Sequence, residues 1–225
     1  MSHTSTIIVE RNGPRVAPTT ATTQYVDAGS TRYAYRRIGT AKGIPVVLLH
    51  RFRATIDWWD PAFIEALAVE RDVILFDNVG IGYTDGAPMS TVGAYAVGAI
   101  AFIKALGLSH VDLLGWSFGG VVAQEVVLQR PDLIRKLVVA GSGSGSAPGM
   151  PAMPERVANI MLKPKSDLED VLYLFYPETD AARAKGVEHF STIAAGMPKN
   201  APVVTQEAAM GQLAAITATL TAPWE

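Results

Sequence analysis

The chain has 225 residues, 49% of them apolar and 18% charged, enough for one compact domain with a core, or one domain plus a lid. That composition excludes disorder and coiled-coil architecture. With 19 Lys and Arg against 21 Asp and Glu the net charge is −2, so the basic field that nucleic-acid binding needs is missing and a small-molecule partner is expected. No cysteine is present, which removes disulfides, thiolate metal sites and cysteine nucleophiles from consideration.

Near the N-terminus only Ile7, Ile8 and Val9 stand together before Glu10, too short a run for a secretory signal. The longest apolar stretch, Val92 to Ile103, is about half a membrane span and carries helical patterning. A soluble cytoplasmic protein with no membrane contact is the expectation.

Strand signals fall at Arg32–Ile38, Pro45–His50, Val73–Asp77, Val111–Trp116 and Leu137–Ala140. The last four are short, nearly unbroken apolar runs, as expected of parallel strands covered on both faces. Helix patterns lie between them. Asp60-Pro61 opens the first, which ends near Arg71; Ser90 or Thr91 caps a second that runs to Leu106 and stops at Gly107; a third spans Phe118 to Arg130. From residue 45 the order alternates strand and helix, which predicts an α/β fold with a mostly parallel sheet and helices on both faces.

After Ala140 the character changes. Residues 141–154, GSGSGSAPGMPAMP, have no periodicity and read as a loop or hinge. Helical segments follow around Arg156–Leu162, Leu168–Phe175, Ala181–Ala195 and Gln206–Leu220, with no strand pattern among them. The expected division is a core over residues 1–146 and a helical cap over residues 147–225.

Gly115-Trp116-Ser117-Phe118-Gly119-Gly120 joins an apolar strand to a helix, the setting of a G-x-S-x-G nucleophile elbow. Side chains two positions before and after the serine would collide with the packed strand and helix, and Gly115 and Gly119 fill those places. Such a turn lifts Ser117 above the sheet edge and makes the Phe118 N–H available to a developing oxyanion. The competing phosphate-binding reading fails, because neither Gly80-Ile81-Gly82 nor Gly141–Ser146 completes a G-x-G-x-x-G after a strand.

With the elbow in place, the chain resembles the α/β-hydrolase superfamily, in its cap-bearing serine esterase, perhydrolase and C–C hydrolase branches. PVVLLH ending at His50 looks like the family's oxyanion loop, and Phe76–Asp85 looks like its D-x-x-G-x-G-x-S segment. The resemblance spans about residues 25–145. It implies Ser117 as nucleophile and the N–H groups of Phe52 and Phe118 as the oxyanion hole. It also makes Asp77 a turn-organising residue and His50 a hydrogen-bonding residue at the loop base. Trp58 and Trp116, among the aromatics flanking both segments, are expected to line an apolar pocket, with Met150 on an adaptable lid. Where the family has His-Gly this chain has His50-Arg51, and the Arg51 side chain is expected to point away from the substrate. Val79 and Thr84 replace a common Arg and Ser without touching the chemistry.

A serine nucleophile needs a histidine base held by a carboxylate. The family order of serine, acid, histidine leaves only His189 after Ser117, in the middle of a helical segment, where it reads as an ordinary surface or core residue. Asp112, inside VDLLG, is expected to face a polar edge or a neighbouring backbone. No metal-ligand spacing exists, and no metal or other cofactor is expected.

The sequence therefore looks like a serine hydrolase of small or medium esters, lactones or related carbonyl compounds, cut after its cap. A fragment is favoured over a natural inactive truncation or an unusual base. Two alternatives stay open: a non-catalytic ligand-binding or scaffold protein, and a subunit whose sheet is completed by another copy of the chain or by a missing C-terminal segment.

Overall fold

A computed structural model describes residues 21–40, 42–145 and 152–221. Its centre is three apolar runs that become parallel strands: β3 (Val46–Leu49), β4 (Asp72–Phe76) and β5 (Val111–Trp116), with β3 and β4 wholly buried. Flanking them are β1 (Gln24–Ala28), β2 (Thr31–Gly39) and β6 (Ile134–Ala140), in the sheet order β1-β2-β4-β3-β5-β6. β2 runs antiparallel to both β1 and β4, whereas β3 pairs in parallel with β4 and β5, and β5 with β6. The sheet is thus mixed.

From β3 the chain goes first to β4 on one side and then to β5 on the other. The loops leaving β3 and β5 consequently diverge, opening a crevice at the carboxyl ends of these two strands, the usual ligand position in open α/β sheets.

Strand alternation divides the core. Val47, Leu49, Ile74 and Phe76 face one apolar cluster, shared with Tyr95, Phe102 and Val122; Val46, Leu48, Val73 and Leu75 face the other, with Ile64 and Trp59. The first cluster receives α2 (Val92–Ala105) and α3 (Phe118–Gln129), the second α1 (Pro61–Ala68). Side-chain caps start α1 and α2: Asp60 accepts from the Ala62 and Phe63 N–H groups, and Thr91 from Ala94. Four helices follow, α4 (Glu155–Leu162), α5 (Leu168–Phe175), α6 (Asp180–Gly196) and α7 (Gln206–Thr221). Ala208 and Ala215 of α7 join the cluster under α2 and α3. Among the described residues no helix is long and apolar enough to cross a membrane.

Several details differ from the sequence reading. β1 has no apolar run to announce it; its pairing with β2, from Gln24 opposite Tyr35 to Ala28 opposite Thr31, makes it a strand. α1 stops at Ala68 rather than near Arg71. β6 begins at Ile134, not Leu137, because its ladder to Val111 and Asp112 ignores side-chain polarity. Expected coverage on both faces fails at β6, where the consecutive residues Leu137, Val138 and Val139, which point to opposite faces, are all exposed. Asp112, expected to face a polar edge or a neighbouring backbone, is buried and clamped by the side chains of Arg135 and Arg71, whose bonds hold its carboxyl below the usual range.

Candidate functional site

The turn from β5 into α3 is shaped by close backbone approach. A Cβ at Gly115 would run into the Gly119 carbonyl oxygen, and one at Gly119 into the carbonyl oxygen of Leu49 at the end of β3. Ser117 takes φ +52° and ψ −121° between them, a strained conformation for a residue with a side chain. Its N–H donates to the Ala140 carbonyl at 2.9 Å, and its own carbonyl accepts from Gly120 at 2.8 Å. The Ser117 side chain does not cap α3, so the Phe118 N–H, at the helix start, has no intrahelical acceptor.

Facing this turn is the loop His50–Arg53. The imidazole of His50 stacks on Trp59 with ring centres 4.1 Å apart, and its Nδ1 accepts the Arg51 N–H at 2.7 Å. That bond places the ring proton on Nε2. Burial first, then the Arg51 charge, hold the His50 pKa well below the ordinary imidazole value, so the ring is neutral. This is the loop-base role expected of it.

Arg51 departs from expectation. Its side chain, 8% exposed, does not point away but lines the crevice beside Ser117, with its guanidinium carbon 5.4, 5.6 and 5.2 Å from the ring centres of Trp58, Trp116 and Phe175. Its Nη1 donates to the Phe52 carbonyl at 2.9 Å. The cause is spatial: the aromatic residues it passes between come from three separate segments. Arg53 takes φ +56° and donates its backbone N–H to Gln212 Oε1 of α7 at 3.0 Å.

Between the sheet edge and α4–α5 lies a cavity of about 600 Å³. Ser117, Phe52, Trp58 and Trp116 all line it, together with Ile160, Met161, Leu174 and Phe175. Phe118 is not among the residues that line it; its side chain is buried edge-on against Tyr95, ring centres 5.2 Å apart. Met150 lies outside the described residues. Sequence reasoning missed Arg51, Arg53 and the α4–α5 wall. Two arginines flanking Phe52, the first where the resemblance calls for glycine, were the available signal.

Asp77 and His189 lie elsewhere. Asp77 accepts the Ile56 and Tyr83 N–H groups at 2.8 and 2.9 Å, organising the turn as the resemblance implies, and burial pushes its carboxyl up to about 7. His189 on α6 sits with Nε2 3.0 Å from Asp60 Oδ2, its Nδ1 against the Tyr176 hydroxyl. Among the described residues, no histidine and no carboxylate lines the cavity with Ser117.

Comparison with known proteins agrees with the fold. An α/β hydrolase fold protein from Chitinophaga pinensis superposes with a TM-score of 0.83 at 32% identity, covering 90% of this chain and 73% of that one. A poly(3-hydroxyalkanoate) depolymerase from Ectopseudomonas oleovorans is 32% identical over 130 residues, 56% of this chain and 45% of that protein. A 2-hydroxymuconate semialdehyde hydrolase from a Pseudomonas species is 29% identical over 110 residues, 47% of this chain and 39% of its own length. The chain thus spans less than half the length of these two curated relatives. The alpha/beta hydrolase fold family matches residues 44–181, more than half of the 225, and the chain belongs to that family.

Proposed function

We propose that this chain carries the nucleophile and oxyanion hole of a serine hydrolase acting on a small or medium ester, lactone or related carbonyl compound. One observation carries the reading: Ser117 is held in a strained turn at the mouth of a cavity that Phe52, Trp58 and Trp116 also line. Strain at a small polar side chain facing a ligand-sized cavity has no packing purpose, and it fits a side chain presented for reaction.

In this mechanism Ser117 Oγ attacks the substrate carbonyl carbon as its proton leaves to a base. The carbonyl oxygen becomes an oxyanion, held by the N–H groups of Phe52 and Phe118, neither of which has an acceptor among the described residues. Collapse expels the alcohol and leaves an acyl-serine, which water then hydrolyses. The base and its carboxylate come from a group other than the described residues. Bare apolar residues on both faces of β6 favour a further segment or a second copy of the chain added alongside that strand. The hydrolase names of the relatives support the reaction class.

A fluorophosphonate probe, which labels only activated serines, tests this by intact mass. A single adduct absent from Ser117→Ala, together with loss of ester hydrolysis in that variant, is the expected result. Hydrolysis retained in Ser117→Ala overturns it. That no histidine among the described residues lines the cavity favours one second reading, a non-catalytic ligand-binding protein; an unlabelled serine with intact ligand binding would select it.

A further inference from the structure

Most arginines of this fold, buried or exposed, come with carboxylates. Arg36 is paired with Asp57 at 2.7 Å with both side chains almost fully buried, and Arg37, Arg71, Arg130, Arg135, Arg156 and Arg183 each have an acidic partner. Arg51 is the exception inside the crevice. It is 8% exposed, and no carboxylate pairs with it among the described residues. One guanidinium nitrogen is used on the Phe52 carbonyl, and the group is held between three aromatic rings.

Arg53 lines the same cavity, with all three guanidinium nitrogens buried and without an acceptor among the described residues. Lys165 adds a third cation to the cavity wall, while no aspartate or glutamate among the described residues lines it. Burial lowers the pKa of both arginines, Arg51 to about 10, which still leaves each charged at neutral pH. A buried charge without a counter-charge is costly, and the missing anion has space in the cavity that Ser117 opens onto.

We propose that Arg51 is the recognition residue for a carboxylate on the substrate, so that the hydrolase selects acyl compounds carrying a free acid group. A carboxylate suits the site better than a bulkier anion. Clamped between rings, the guanidinium offers a planar edge with a fixed donor spacing, the geometry that pairs two nitrogens with two carboxylate oxygens. The stacked aromatics hold that edge rigid, so little conformational freedom is lost on binding. The inference deepens the proposed function, on which it rests only for placing the reacting carbonyl at Ser117.

Binding of phenylacetate and of its neutral isostere phenylacetamide, followed by the fluorescence of Trp58 and Trp116 in the full chain, tests the proposal. Wild type is expected to bind the acid about tenfold or more tighter than the amide, the factor of one charge-assisted pair. In Arg51→Met that preference is expected to vanish while amide binding persists, which also shows that the variant folds. Arg51→Lys should keep part of it. Equal binding of acid and amide, no saturable binding of the acid in the millimolar range, or a preference that survives Arg51→Met would each overturn the proposal. A preference lost only in Arg53→Met would overturn the assignment to Arg51. Repeating the measurement in Ser117→Ala separates the two readings. An acid preference there alongside retained ester hydrolysis would overturn the nucleophile and leave the anion site standing. Lost hydrolysis without any acid preference would do the reverse.

Discussion

The turn at Trp116–Gly120 and the loop at His50–Arg53 leave adjacent strands and face one cavity, yet they are held in opposite ways. Backbone fixes the turn: Gly119 lies so close to the Leu49 carbonyl that no side chain fits. Side chains fix the loop, through stacked rings, the His50 bond to the Arg51 N–H and the Gln212 bond to the Arg53 N–H. Strain resides in both, at Ser117 and Arg53, but unsatisfied charge resides in the loop alone. Under the proposed function the turn sets where the reacting atom sits, and under the proposed anion site the loop is completed by the substrate's charge.

Arg36 and Asp57 supply the reference for a completed pair, and breaking it should give the largest effect. Asp57→Ala is expected to cost about 3–5 kcal/mol in urea unfolding, because it leaves the Arg36 guanidinium buried and uncompensated and also removes the acceptor of the Tyr83 hydroxyl. A loss below about 1 kcal/mol would show that the fold tolerates a lone buried guanidinium, and would weaken the contrast drawn with Arg51.

Next in size is Gly119→Ala. Its methyl group would collide with the Leu49 carbonyl and push β3 and α3 apart, at a cost of about 1–3 kcal/mol on thermal unfolding. Loss of serine reactivity should accompany it. A stable variant with an unaltered fluorophosphonate reaction rate would mean that the turn is not fixed by backbone contact.

The smallest effect runs in the other direction. Ser117→Gly should raise stability by about 1 kcal/mol, since glycine enters positive φ without the strain that serine bears there. No gain in melting temperature would place the strain elsewhere.

How much of this could be read beforehand follows from which residues act locally. Val46–Leu49 is wholly apolar and Asp72–Phe76 and Val111–Trp116 are broken only by Asp72 and Asp112, so their strands were legible. Gly115 and Gly119 around Ser117 were legible for a similar reason, since the turn's steric demand falls on two fixed neighbours. β1 was not, because QYVDA becomes a strand only through its partner β2. Asp112 was misread because its arginines arrive from residues 71 and 135, far away in the chain.

By itself, then, the sequence determined the alternation of strand and helix, the elbow at Ser117 and the four helices that follow residue 154, all features that depend on short spacings. Tertiary structure alone decided the mixed strand order, the bare outer strand β6 and the direction of Arg51. The reason is physical. Where a long side chain points depends on what surrounds it, and the rings of Trp58, Trp116 and Phe175 meet around one guanidinium only after the chain has folded.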